Sequence, residues 1–277
     1  MPLIINTNIA SLQAQRSLGA VQMRLQTSYT RLSSGFRINA AADDAAGLAV
    51  SENLRSQIRS FSVAERNTRN AVGMANTAEG GLGQISDVVI RMRELSVQAA
   101  NGDLSSTDRG YIDTEFQQLK DEIDRLANST NFNGTTLLGG SALSIAFQVG
   151  INTTSNDTIS LGFGGISVSS LGLSGVSVGG SSATNASSAI DSLDGAITSV
   201  LNSRAQFGAV VNRLQVAITN SQAIRTNLEA ANSAIRDVDV AEETSQMARS
   251  QVLLQAGASV LSQANQAPQL ALQLLGR

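Results

Sequence analysis

The sequence predicts a mainly α-helical, elongated protein, made of long antiparallel helices in coiled-coil bundles with a small central β-element. Three observations carry this. The 277 residues hold only two prolines, Pro2 and Pro268, both near the ends, so proline forbids no helix between them. Along both flanks, apolar residues recur at spacings that alternate three and four, the pattern of a helix facing another helix. Between Arg125 and Asp191 the character changes: Asp157 is the only formal charge, and Gly, Ser, Thr and Asn dominate.

Composition excludes several classes of function. A formal charge of -3 is too close to neutral for a nucleic-acid partner. With no Cys and no His there is no disulfide framework, thiolate, Cys/His zinc site or histidine acid-base catalyst, so neither an enzyme nor a cofactor is expected. Aromatics make up 3% and Trp is absent, so a large compact core is not what these residues build. No window approaches 18 uninterrupted apolar residues, so no membrane insertion is expected. The first thirty residues show no basic segment followed by an apolar one and a cleavage site, so no cleavable signal is expected.

The first helix is set by Ile5, Ile9 and Leu12, then Leu18, Val21, Leu25, Tyr29 and Leu32, and stops near Ser33, Ser34 and Gly35. A linker follows, Gly35 to Asp44, whose acidic pair Asp43 and Asp44 suits the start of the next helix. That helix continues through Leu54, Ile58, Phe61, Val72, Leu82, Ile85, Val89, Met92 and Leu95 to about Ala99. Gly73, Gly80, Gly81 and Gly83 each weaken it by up to about 1 kcal/mol, so packing must hold it. After the Asn101-Gly102 turn, Ser105 or Ser106 caps a shorter helix bearing Ile112, Phe116, Leu119, Ile123 and Leu126.

In the centre, Ile145–Val149, Thr158–Leu161 and Ile166–Val168 read as brief strands joined by Gly-rich turns, although the same composition also suits a flexible linker. Periodicity returns at Ile190 and runs through Leu193, Val200, Phe207, Leu214, Ile218 and Leu228 to Val238. A last segment carries Leu253, Val260, Leu261 and Ala264 and is nearly uncharged beyond Arg249, an amphipathic tail that implies a partner surface.

Other motifs point to no chemistry. Glu242 and Glu243 are adjacent and do not form a paired acid-base site. Gly80, Gly81 and Gly83 lack the preceding strand and Lys-Ser/Thr ending of a phosphate loop. Asn152 and Asn185 open Asn-x-Thr/Ser matches, and the Ser/Thr-rich centre reads either as a solvated loop or as a carrier of O-linked sugars.

Six stretches resemble one family. MPLIINTNIASL, LSSGFRINAAADDAAGL and RMRELSVQAAN in the first half, and FNGTTLL, IRDVDVAEE and VLSQANQA later, resemble bacterial flagellin. The centre is far shorter than in long flagellins, so their large outer domains are expected to be absent. The resemblance implies a structural subunit that self-assembles into the flagellar filament for motility. It implies residence outside the cell after export through the flagellar type III channel, with an export chaperone, junction and cap proteins as partners. The rival within the same layout is a hook-filament junction protein. A zinc peptidase, which some flagellins carry, is impossible without histidine.

The resemblance also implies a layered organisation: residues 1–40 with 240–277 as an inner helical domain ordering on assembly, 41–130 with 186–239 as a long-helix bundle, and 131–185 as the β-element. Inner packing is assigned to Ile5, Ile9, Leu12, Leu18, Val21, Leu25, Leu32, Leu253, Val260, Leu261 and Ala264. Arg37, Asp43 and Asp44 fall at the interlayer linker. Flagellins with the pattern Arg-x-Arg-Glu-Leu-x-Val-Gln are similar to those read by a Toll-like receptor of animal hosts. Arg91, Leu95 and Glu115 are the expected contacts.

Overall fold

The computed structural model describes residues 7–140 and 142–275. Five helices carry the fold: α1 (Ile9–Ser34), α2 (Ala45–Ala99), α3 (Ser106–Ser129), α4 (Thr184–Arg236) and α5 (Val240–Leu275). Four strands form two antiparallel pairs, β1 (Asn131–Phe132) with β2 (Thr135–Thr136) and β3 (Leu143–Gln148) with β4 (Thr158–Phe163). The chain divides into two compact units, Met1–Ser56 with Asn227–Arg277, and Gln57–Thr226. The division falls inside α2 and α4, whereas the resemblance placed its boundaries in the linkers at 40/41 and 239/240.

Each helix end has a local cause. Asn8 caps α1 by accepting the Ser11 N–H at 3.0 Å, and Gly35, at φ 74°, closes it with an N–H to the Arg31 carbonyl. The Asp44 carboxylate accepts the Gly47 N–H at 2.8 Å and so starts α2. Ser105 and Asp108 form a reciprocal capping box on α3. Asp239 accepts the N–H groups of Ala241 and Glu242 at the head of α5. At 55 residues, α2 spans about 80 Å.

The central unit holds a continuous core. One face of α2 (Leu82, Ile85, Val89, Met92, Leu95), one of α3 (Phe116, Ile123) and one of α4 (Leu193, Ala196, Val200, Phe207) are buried together with Leu161 and Phe163 of β4. The rings of Phe163 and Phe207 lie 5.5 Å apart. Ion pairs fix the antiparallel register at the surface: Arg93 with Asp194 and Arg204 with Glu79 tie α2 to α4, and Arg91 with Glu115 ties α2 to α3. Gly81 has a packing reason to be glycine, because a Cβ there would lie 2.6 Å from Thr130 Oγ1 and 2.9 Å from Leu138 Cδ1.

The uncharged centre is ordered by charges from α3. Asp113 accepts the N–H of Val178 at 2.8 Å and the Ser177 hydroxyl at 2.9 Å. Lys120, buried, donates to the carbonyls of Ser174 and Val176, each at 3.1 Å, and Asp124 accepts the Val168 N–H at 2.9 Å. Ile166–Val168 is therefore not a strand: its backbone is spent on α3 and on the Leu138 carbonyl. The β1–β2 hairpin was not anticipated, although its Asn133-Gly134 turn, with φ 49° and 80°, is the two-residue signal for one.

Candidate functional site: the paired terminal helices

Helices α1 and α5 pair antiparallel within the terminal unit. At one end the Asn8 side chain donates to the Ala264 carbonyl at 2.8 Å and Ser11 Oγ to Asn265 Oδ1 at 2.7 Å. At the other, Arg31 meets Glu243 at 3.6 Å, the carboxylate being almost fully enclosed. The α1 side of the seam is a seven-residue repeat, Ser11, Leu18, Leu25 and Leu32, interleaved with Ala14, Val21 and Ser28. Facing it on α5 are Glu243, Ser250, Gly257 and Ala264, interleaved with Met247, Leu254 and Leu261. Gly257 admits Leu18, whose Cδ1 would lie 2.9 Å from a Cβ at that position.

The packing residues expected from sequence therefore separate into two groups. Leu18, Val21, Leu25, Leu32, Leu261 and Ala264 are half-buried in the seam. Ile9, Leu12, Leu253 and Val260 are not in it: they stand 61%, 51%, 46% and 56% exposed. The reason is register. The repeat that meets α5 starts at Ser11, and a stripe drawn through Ile9 and Leu12 lies on the neighbouring face. Ile5 lies outside the described residues. Sequence reading missed Ser11, Ser28, Ser250 and Glu243, the buried members of the seam, because it followed apolar residues alone. The exact sevens from Ser11 to Leu32 were the signal available.

Beside the seam, an apolar groove of about 480 Å³ runs between the helices, lined by Ala10, Ala14, Leu18, Leu253, Gly257 and Val260 among others. It continues past Leu253 into a polar cleft of about 290 Å³ that contains Arg24, Arg31, Arg249 and Glu243. Further apolar side chains on these helices, Met23 and Val252, are also exposed.

The linker residues are engaged within the chain. The segment after α1 pairs with the segment after α4: Phe36 bridges Asp237, the Arg37 N–H donates to the Arg236 carbonyl at 2.7 Å, and the Val238 N–H to the Gly35 carbonyl at 3.0 Å. Arg37 also donates through its guanidinium to the Ile235 carbonyl, and the Arg236 guanidinium lies 4.6 Å above the Phe36 ring. Asp43 accepts the N–H groups of Ala40 and Asn39, which hold its carboxyl below the ordinary value. Asp44 is the α2 cap already described. Both acids thus serve local backbone, and Ile38 in the same linker is buried.

In the central unit, Arg91 and Glu115 are exposed and paired at 3.0 Å. The hydrogen bonds that the Arg91 guanidinium donates to Glu94 and then to Glu115 raise its pKa above the usual value. Leu95 is corrected: it is 2% exposed inside the core, so its side chain presents nothing to a partner. Among the described residues no cluster of acidic side chains could hold a metal ion, and no helix is long and apolar enough to cross a membrane.

These features define a helical protein whose two ends meet in a thin seam and leave apolar surface uncovered on both partners. The model for the bacterial flagellin N-terminal helical region matches residues 5–142, and that for the C-terminal helical region matches residues 190–275. A flagellin of Halalkalibacterium halodurans is 41% identical over 273 residues, covering 99% of this chain and all of the relative. The flagellar filament 33 kDa core protein of Treponema phagedenis is 41% identical over 289 residues, with 99% and 100% covered. A flagellar hook-associated protein of Vibrio parahaemolyticus shares the fold, with a TM-score of 0.60 over 70% of this chain and all of that one, at 15% identity. The chain belongs to the bacterial flagellin family, structural proteins that polymerise into the flagellar filament.

Proposed function

We propose that α1 and α5 of this filament subunit form its inner packing layer, and that the exposed stripe of Ile9, Leu12, Leu253 and Val260 is covered by neighbouring copies. The observation that carries this is the double use of the terminal helices: the seam satisfies one face of each, and a second apolar face stays in water. Exposed apolar area of that kind favours association at roughly 25 cal/mol per Å² removed from water. The role is mechanical, with stiffness supplied by stacked helices rather than by any reacting group. The linker at Arg37, Asp43 and Asp44 then joins the inner layer to the long-helix bundle.

Family membership supports the rest of the reading: export through the flagellar type III channel, a place in the filament outside the cell, and meetings with chaperone, junction and cap proteins. For a host Toll-like receptor, the exposed Arg91–Glu115 pair supports contact on that face, without Leu95. The experiment for the packing layer is a double variant, Ile9→Asn with Leu12→Asn, assayed by seeded polymerisation and electron microscopy. Loss of filaments with an unchanged melt of the central unit is expected. Filaments of parental yield would refute the assignment.

A further inference from the structure

We propose that the arginine cleft between α1 and α5 docks carboxylates of a second copy of this chain, so that contact between terminal helices is charge-paired as well as apolar. This rests on the reading that these helices meet neighbouring copies. The cleft holds three guanidinium groups, Arg24, Arg31 and Arg249, against one carboxylate, Glu243. Glu243 is already committed to Arg31. The Arg31 Nε is buried with no hydrogen-bond partner, and Arg24 and Arg249 make no ion pair among the described residues. Helix α1 itself carries Arg16, Arg24 and Arg31 and no acidic residue.

Left in water, such cations cost little. A neighbour closing over the apolar groove would change that, because groove and cleft share Leu253 and closing one strips water from the rim of the other. Unpaired guanidinium groups removed from water are expensive, so the covering surface must bring acid. The same unit supplies it. Asp237 and Glu242 are exposed and make no ion pair among the described residues, Glu242 accepting only the Gln246 amide at 3.2 Å. The acids nearby are otherwise occupied: Asp43, Asp44 and Asp239 accept backbone N–H groups, and Glu52 pairs with Arg236. Glu242 stands at the rim of the cleft itself, held by Gln246 that lines it, so the cleft and acids of one copy can meet those of the next with opposite charges facing.

Two variants in the full-length chain test this. One reverses the cleft, Arg24→Glu with Arg249→Glu, and the other reverses the patch, Asp237→Lys with Glu242→Lys. Each alone sets like charge against like, and its critical concentration for seeded polymerisation should rise about tenfold or more. Mixed one to one, each offers the other the missing sign, and filaments should form near the parental critical concentration. If either variant polymerises alone like the parent, or if the mixture stays monomeric, the proposal is overturned. The milder Arg24→Gln with Arg249→Gln should raise the critical concentration and flatten its dependence on salt, and parental behaviour there would equally overturn it. Ile9→Asn with Leu12→Asn separates the two ideas: no charge partner can rescue that variant, and its normal assembly would remove the packing layer itself.

Discussion

The two units of this chain are built on different principles. In the central unit the fully buried side chains are large and apolar, among them Leu82, Ile85, Met92, Phe116, Ile123 and Phe163. In the terminal unit, among the described residues, the buried set is Ser11, Ser28, Ser51, Glu243, Ser250 and a single apolar residue, Ile38. Burial of a large hydrophobe contributes roughly 1.5–3 kcal/mol, whereas a buried serine merely breaks even through its hydrogen bond. The central unit therefore buries far more apolar surface than the terminal unit, and under the proposed function the terminal helices gain stability from the neighbouring copies that cover them. Small polar residues at a seam let backbones come close and let register be set by hydrogen bonds such as Ser11 to Asn265.

The sharpest way to break this contrast is to empty one site in each unit. Phe116→Ala should cost about 3–5 kcal/mol and melt the central unit, read as a large fall in denaturant midpoint. Leu25→Ala, in the half-buried seam, should leave that midpoint unchanged and act on polymerisation alone. If both variants lower the midpoint alike, the units are one cooperative block and the contrast is wrong.

Overpacking and unpairing give smaller effects. Gly257→Leu drives a side chain into Leu18 and should cost about 1–3 kcal/mol, all of it in the terminal unit. The expected readout is lost helix signal from the ends and lost assembly, with the central melt intact. In the central unit, Lys120→Met keeps the stem and removes the ammonium, leaving the Ser174 carbonyl unpaired and the Val176 carbonyl with only the long bond from Gln117, at about 1–3 kcal/mol. Faster amide exchange across residues 171–179, with the helices unaffected, is the expected signature.

Legibility followed the same division. All five helices are visible in the sequence because period and caps agree: the alternating threes and fours of α1, the acid pair before α2, Ser105 before α3. The two β-pairs were half visible, since β3 and β4 alternate cleanly while β1 and β2 are two residues each. What could not be read was the seam. Leucine and isoleucine dominate the visible pattern, whereas the register of the α1–α5 seam passes through Ser11, Ser28 and Ser250 and leaves Ile9 and Leu12 on the neighbouring, exposed face. Leu95 failed for the opposite reason: i to i+4 from exposed Arg91 is still about 40° of rotation, enough to turn a side chain into the core. The anchoring of residues 166–179 by Asp113, Lys120 and Asp124 was invisible because the partners are backbone groups far along the chain.

Acid offers the gentlest test, because it acts on that anchoring. Burial pushes the Asp113 carboxyl upward, yet hydrogen bonds from the Val178 N–H, Ser177, Gln117 and the Gly179 N–H outweigh it and hold the pKa below its ordinary 3.8. A depressed carboxyl contributes stability that is complete above its ordinary value and is lost as pH falls through the lowered one. Because water still reaches the group, the contribution is below about 1 kcal/mol. Lowering pH below 3.8, into the range of the lowered carboxyl, should therefore shift the amide resonances of Val178 and Gly179 before the helices of the central unit melt. Asp113→Asn keeps an acceptor oxygen at the same place and cannot titrate, so its Val178 and Gly179 signals should stay flat over that range. Titration that persists in the Asn variant would assign the acid response to another carboxylate. In the terminal unit Asp43 is lowered in the same way by Ala40 and Asn39, but it sits in open solvent, so protonating it should loosen only the turn before α2 and leave the α1–α5 seam paired.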